Sequence, residues 1–235
     1  MLPSAEIEIP VSTSEQVTEK EYNNNTQAAS SVQLCFKKKP VYDFFKRFFD
    51  IVCALVALIV LSPIFIIASI IIMADDFGNP FFIQKRVGKN GKIFKMIKFR
   101  TMYKNAEEIK QSLMEKNESD GVHFKIKDDP RILKHAKFMR RTSIDELPQL
   151  FNILDGSMTV VGPRPFVISE QEQLPSERLL VKPGLSCYWQ LTKTNDIPID
   201  EQIALDYKYI NKRSFATDID IIFRTIKLIF SFGNE

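Results

Sequence analysis

The chain has 235 residues, 45% of them hydrophobic and 26% charged, enough for one domain with its own core plus one membrane element. Its formal net charge of +3 hides an asymmetry: residues 1–34 hold five glutamates and one lysine, a balance of −4 that leaves +7 to the remainder. A body that basic suits an anionic partner. The three cysteines (Cys35, Cys53 and Cys187) have no ligand spacing and fit a reducing compartment better than a disulfide framework. The two isolated histidines (His123 and His135) read as structural or surface residues and give no support to a histidine metal site or a Ser-His-Asp mechanism.

Residues 1–36 form a polar tail without the basic start and apolar core of a signal peptide, and its composition predicts disorder. A basic cluster follows at Lys37, Lys38, Lys39, Lys46 and Arg47, and from Ile51 to Ala74 there are 24 residues without a charge. As straight helix this run would extend about 36 Å, against about 30 Å of hydrocarbon, so hydropathy alone favours a full span. Two features argue for a re-entrant hairpin instead. Ser62-Pro63 sits at the midpoint, where proline removes a hydrogen bond and bends a helix. Five Lys/Arg at 37–47 and four at 85–92 put both flanks on the cytoplasmic side. Residues 37–76 are thus read as a basic flank and re-entrant membrane helix, and 77–235 as a cytoplasmic domain.

Beyond the turn at Gly78-Asn79-Pro80, the segments Phe81–Gln84 and Ile93–Phe99 read as strands joined through Gly88-Lys89-Asn90-Gly91. Residues 105–116 have the pattern of a charged surface helix, and Asp129-Pro130 marks a helix start running to about Arg140. Ile199, Ile203, Tyr207 and Ile210 share one helical face. Ile219–Phe232, very apolar but interrupted by Arg224 and Lys227, is a core helix or an interfacial membrane helix, with the second favoured. The fold class is α+β and mostly helical: a monotopic membrane protein with a re-entrant helix, amphipathic interfacial helices and a small β-hairpin.

Chemistry concentrates at Asp145-Glu146. Ser143-x-x-Glu146 has the form of a capping box, and taken alone such a pattern is more often a cap than an active site. The two roles are compatible, since a carboxylate beside a helix N-terminus is held ionised and nearby N–H groups favour phosphate oxygens. Potential phosphate ligands surround it in the sequence: Lys98 and Arg100 in Lys98-Phe99-Arg100-Thr101-Met102, Arg140-Arg141, and Arg164 in Gly162-Pro163-Arg164-Pro165. Each could equally be a solvated surface charge. Arg164 stands out because two prolines fix its backbone. Phosphoryl transfer requires such positioning and charge neutralisation, usually with a divalent cation.

From about Lys46 to Phe230 the sequence resembles the bacterial sugar transferase family, the monotopic polyprenyl-phosphate sugar-1-phosphate transferases. The resemblance rests on Lys46-Arg47-Phe48-Phe49-Asp50, Ser62-Pro63, Gly78-Asn79-Pro80-Phe81-Phe82, Gln84-Lys85-Arg86-Val87-Gly88, Lys98-Phe99-Arg100-Thr101-Met102, Asp145-Glu146-Leu147-Pro148-Gln149-Leu150, Val161-Gly162-Pro163-Arg164-Pro165 and Lys182-Pro183-Gly184, in this order. It implies a bacterial inner-membrane enzyme on the cytoplasmic face and a Mg²⁺-dependent, two-step reaction initiating surface-glycan assembly. The donor would be a nucleoside-diphosphate sugar, in the first instance a UDP-sugar, and the acceptor polyprenyl (undecaprenyl) phosphate, with membrane lipids as surroundings. By motif position, Asp145 is the nucleophile and metal ligand, and Glu146 its acidic partner, which would activate the lipid phosphate in the second step. Lys98, Arg100, Arg140 and Arg164 contact phosphates, and Asp218 matches a further acidic position. The family's Gly-Asp-Met stands here as Gly156-Ser157-Met158, and its late Gly-Arg as Lys193-Thr194. These departures keep open a catalytically inactive membrane scaffold. A nucleic-acid-binding protein leaves the apolar run unexplained and has no recognition motif. The sequence is silent on oligomeric state and leaves a homo-oligomer open.

Overall fold

A computed structural model describes residues 33–106, 108–109, 129–192 and 197–231. Two apolar helices, α1 (Pro40–Val60) and α2 (Ser62–Asp75), follow each other with a break at Leu61 (φ −91°, ψ 3°). The break falls where the sequence puts it, and its cause is local. Pro63 has no N–H to offer the Ile59 carbonyl, and the Ser62 hydroxyl donates to that oxygen at 2.8 Å instead. On either side, Leu61 N–H donates to Ala57 O and Phe65 N–H to Leu61 O, so the helical ladder resumes at once.

Both halves rest on one body. Ala54 of α1 packs with Met96, Leu150, Ile153 and Met158. Asp50 accepts from the Thr159 hydroxyl at 2.6 Å and from Val160 N–H at 3.0 Å. Ala68 and Ile72 of α2 pack with Phe99, Leu133, Ala136 and Met139, and Asp75 pairs with His135 at 2.7 Å. Phe65, just past the break, joins the two clusters, its ring centroid 5.3 Å from Phe99 and 6.0 Å from Phe151. The outward surface stays exposed from Phe44 and Phe48 through Ile59 to Ile70. Pro40–Asp75 is long and apolar enough to cross a membrane, and apolar surface of this extent suits a lipid environment rather than water.

The expected hairpin forms from β1 (Phe81–Val87) and β2 (Ile93–Phe99), paired antiparallel from Phe81↔Phe99 to Val87↔Ile93, with β1 three residues longer than read from the sequence. A helix from Pro130 does not form. Asp129 turns onto Arg131 at 2.6 Å instead of capping, Ile132 bridges to Met102, and α3 starts only at Ala136, ending at Arg141. The 3₁₀ turn Ile144–Glu146 leads into α4 (Gln149–Asp155). The Asn152 side chain of α4 accepts from Ile97 N–H at 2.9 Å and donates to Lys95 O at 2.8 Å, capping the free edge of β2 like an added strand.

Two short strands, β3 (Thr159–Val161) and β4 (Gly184–Ser186), pair in parallel, with the short helix α5 (Ile168–Gln171) between them in sequence. Helices α6 (Ile199–Lys212) and α7 (Phe215–Ser231) complete the fold around Val161, Cys187, Tyr209, Ile210 and Ile221. The buried stripe of α6 is rotated from the expected one. Gln202, Leu205, Asp206, Tyr209 and Ile210 are buried, while Ile199, Ile203 and Tyr207 are half-buried, because Asp206 and Tyr209 have polar partners inside. On α7, Phe215, Ile219, Phe223, Ile226 and Ile229 form an exposed apolar face opposite buried Ile221, the amphipathic pattern expected at a membrane interface. The surface helix read at 105–116 lies mostly outside the described residues, as does the tail through residue 32.

Candidate active site

Asp145 and Glu146 occupy a single 3₁₀ turn whose leading residue, Ser143, is left-handed (φ 57°, ψ 19°). The expected capping box is not made. With Ser143 in that conformation its hydroxyl caps nothing, and Glu146 reaches away from the backbone. A non-glycine residue held left-handed costs about 1 kcal/mol or more and persists where surrounding packing enforces it. Here it aims two adjacent carboxylates in different directions.

Glu146 Oε1 lies 2.7 Å from Nζ of Lys98, the penultimate residue of β2, and 3.3 Å from Arg164 Nη1. Burial alone would raise its carboxyl, but the Lys98 ammonium and Arg164 guanidinium override this and hold it down at about 2. Asp145 makes no hydrogen bond or ion pair among the described residues. Burial, then the neighbouring Glu146 charge, push its carboxyl up to about 6 against the opposing pull of Lys98, Arg140 and Arg164. One carboxylate is thus locked to cations and the other is left without a partner among the described residues, a separation typical of functional pairs. Arg140, at the exposed end of α3, acts on Asp145 through its charge.

The Arg164 loop is held from three sides. Arg178 donates to Arg164 O at 2.7 Å, while also pairing with Asp206 at 2.7 Å and Gln171 at 2.8 Å in a fully buried network. Arg86 donates to Pro165 O at 3.2 Å and Val87 N–H to Phe166 O at 3.0 Å. The Arg164 guanidinium lies 5.4 Å from the Trp189 ring centroid, a cation–π contact. Arg86 itself is lowered to about 10, first by burial and then by Arg164. Arg86 and Arg178 were not read as site residues. The former was visible as part of Gln84-Lys85-Arg86-Val87-Gly88, whereas nothing local marks Arg178.

Two residues expected at substrate are engaged elsewhere. Arg100 is buried and pairs with Asp76 Oδ2 at 2.6 Å, and also donates to Asp76 O, tying the end of α2 to the body. Asp218 is 1% exposed and accepts from Tyr42 at 2.7 Å, Lys46 at 2.9 Å and Tyr209 at 2.9 Å, which joins α7 to α1 and α6. Ser157, where the family has aspartate, makes turn contacts with Asp155 and Asn152. Lys193-Thr194 lies outside the described residues.

The Gly162–Pro163 and Pro183–Gly184 segments interlock: Gly184 N–H donates to Pro163 O at 2.9 Å, and a Cβ on Gly184 would lie 2.6 Å from Gly162 Cα. Gly184→Ala is therefore expected to displace the Arg164 loop, destabilising the protein by about 2–3 kcal/mol. Even where the protein still folds, it would loosen the contact between Arg164 and Glu146. A purified variant of wild-type Tm would contradict this.

Among known proteins, the bacterial sugar transferase family matches residues 41–232. The chain is 45% identical over 190 residues to a galactosyl transferase, CpsE, of Streptococcus agalactiae, an alignment covering 78% of this chain and 42% of that protein. It is 37% identical over 198 residues to the exopolysaccharide production protein ExoY of Sinorhizobium fredii, covering 81% and 88% respectively. With the undecaprenyl-phosphate galactose phosphotransferase of Salmonella typhimurium it shares 39% identity over 193 residues, 79% of this chain and 40% of that protein. The chain thus spans less than half of two of these relatives and most of the third. With the matched region holding the dyad, the Arg164 loop and the apolar helix pair together, the chain belongs to the bacterial sugar transferase family.

Proposed function

We propose that the chain transfers a sugar 1-phosphate from a nucleoside-diphosphate sugar, in the first instance a UDP-sugar, to polyprenyl phosphate at the cytoplasmic face of the bacterial inner membrane. The observation that carries this is the unpartnered Asp145 carboxylate beside Lys98, Arg140 and Arg164. In this reading an Asp145 oxygen attacks the sugar-bearing phosphorus of the donor, and nucleoside monophosphate leaves with the bridging oxygen. The lipid phosphate then attacks the same phosphorus and displaces Asp145. Lys98 and Arg164 reduce the repulsion between a carboxylate and a diphosphate and stabilise charge moving onto the leaving phosphate. Glu146 keeps both cations in place. To assist the second step, as the resemblance implies, it must be released by one of them.

Asp145 also fits Mg²⁺. Among the described residues neither of its oxygens has a hydrogen-bond or ion-pair partner, and Mg²⁺ is commonly held by one or two carboxylates together with substrate phosphates and water. There is no group of three or more His, Cys, Asp and Glu side chains among the described residues that could hold a metal ion. The bound ion would supply charge neutralisation at the donor phosphates.

The topology proposed with this function is re-entrant. Both ends of Pro40–Asp75 attach to the same body, α1 through Asp50 and Ala54 and α2 through Ile72 and Asp75, which supports entry and exit on one face. Cysteine reporters at residues 40 and 80 are expected to label from the cytoplasm alone, and Pro63→Leu to shift the segment toward a full span. Periplasmic labelling at residue 40 of the otherwise unaltered protein would overturn the topology.

Function is tested by supplying a panel of UDP-sugars with undecaprenyl phosphate and Mg²⁺ and measuring nucleoside monophosphate together with lipid-linked sugar. Release of monophosphate with stoichiometric lipid product is expected for at least one donor. A membrane-inserted, folded protein inert to the whole panel would favour the scaffold reading instead.

A further inference from the structure

A cleft of about 540 Å³, its mouth included, opens away from the dyad, between the start of α1, the hairpin tip and the segment Leu180–Lys182. None of the residues at Asp145 lines it. Basic side chains do: Lys46, Arg47, Lys89, Lys182 and Arg213, against the carboxylates of Asp43 and Asp50. Of these two carboxylates Asp50 is already engaged, and Asp43 has no ion pair among the described residues. Asp50 accepts from Thr159 and Val160, and Lys46 is neutralised by Asp218.

Arg47, Lys89, Lys182 and Arg213 have no carboxylate partner among the described residues. Arg47 donates instead to the carbonyls that end α4, Ile153 O and Leu154 O. Arg213 is the telling residue. It is 2% exposed and rests over the Phe36 ring, with Nη2 donating to Lys37 O, yet its Nε and Nη1 have no acceptor among the described residues. A buried guanidinium without a counter-charge and with two unmet donors is costly, and an anion in the adjoining cleft removes that cost. Lys182, whose ammonium is lowered by burial and then by the charge of Arg47, reports the same excess of positive potential.

We propose that this cleft is a second anion site, taking one phosphate group that is not a reactant of the transfer. The ligand is a phosphate monoester or diester of net negative charge, with no cation in the same head group, held by Lys89 and Lys182 at the mouth and Arg213 at the wall. Its place fits a lipid head group: the lining residues Tyr42, Asp43, Lys46 and Arg47 belong to the stretch of α1 just before the apolar run, and exposed Phe44, Phe45 and Phe48 share that stretch. A free phosphate meets the same donors.

The test uses the full chain in a neutral detergent, with thermal unfolding followed against dihexanoyl-phosphatidylglycerol, inorganic phosphate and, as a zwitterionic control, dihexanoyl-phosphatidylcholine. At about tenfold excess over the dissociation constant, binding is expected to raise Tm by about 3 °C. Stabilisation by the phosphatidylglycerol alone identifies a lipid head group, and equal stabilisation by inorganic phosphate identifies the free ion. The double variant Lys89→Met/Lys182→Met, altered only at the mouth, is expected to lose most of the shift, whereas Arg164→Gln keeps it. A shift that survives in the double variant, disappears with Arg164→Gln, or is matched by the phosphatidylcholine overturns the proposal, as does the absence of any shift.

Discussion

Asp145→Asn is expected to abolish transfer, lowering turnover by a factor on the order of 10⁴ or more, while making the folded protein more stable. Asparagine keeps the shape and volume of the side chain but has no carboxylate oxygen to form the acyl phosphate, so both half-reactions stop. The stability gain follows from the same burial and like-charge crowding that push this carboxyl up to about 6. A raised carboxyl destabilises the folded state wherever it is ionised in the folded protein, that is above about 6, and costs nothing once it is protonated in both states, below its usual value near 4. At pH 7.5 the amide variant should therefore gain on the order of 2 kcal/mol, a Tm rise of about 5 °C for a chain of this size. The two proteins should converge in Tm below about pH 4. Intact-protein mass after adding donor without lipid gives the companion measurement: the wild type gains the mass of a phosphosugar and the variant gains nothing. Substantial turnover by the variant, or turnover by the wild type with no adduct at any time, would remove Asp145 as nucleophile and leave the pair as a metal site.

What could be read from the sequence were features with local causes. The hairpin follows from two β-rich runs around Gly88-Lys89-Asn90-Gly91, and the helix break from the chemistry of Ser62-Pro63 within three residues. The errors arose wherever a distant partner outbid a local preference. Asp129-Pro130 has the composition of a helix start, but Arg131 captures the aspartate and the bridge to Met102 holds the chain extended. Ser143 and Glu146 have capping-box spacing, but Lys98 and Arg164, 48 and 18 residues away in sequence, take Glu146. The contacts of Arg100 and Asp218 were equally hidden from local reading, since each closes a joint between elements, through Asp76 and through Tyr42, Lys46 and Tyr209. The stripe on α6 was misplaced for the same reason, since an inward Asp206 is legible only together with Arg178. The dyad and its cations were identifiable as residues. Their different surroundings were not, because residue spacing does not say which of Asp145 and Glu146 reaches Lys98; only the resemblance separated their roles.

Lys98→Met is expected to show that difference in a pH profile. In the wild type, the ammonium 2.7 Å from Glu146 is the first-ranked attraction holding that carboxyl at about 2, and it also opposes the upward push on Asp145. Methionine matches the length of the chain and removes the charge. Asp145 then meets burial and the Glu146 charge with only Arg140 and Arg164 opposing, so its carboxyl moves above about 6. Because the nucleophile must be ionised, the acid limb of the donor half-reaction should move to higher pH, and its rate at pH 7 should fall about 10²-fold. Adduct formation with donor alone is the right readout, since it excludes titration of the lipid phosphate. Stability should drop by about 2 kcal/mol at neutral pH, with Arg164 still partly compensating Glu146. The sign is opposite to that for Asp145. A depressed carboxyl stabilises the fold above its unfolded value near 4 and loses that contribution as pH falls through about 2, so the deficit of the methionine variant should shrink in acid. Lys98→Arg retains the charge and should leave the acid limb near its wild-type position. If Lys98→Met slows the reaction but leaves the limb where it was, Lys98 acts on substrate phosphate alone, and the reactivity of Asp145 is set by burial and its other neighbours.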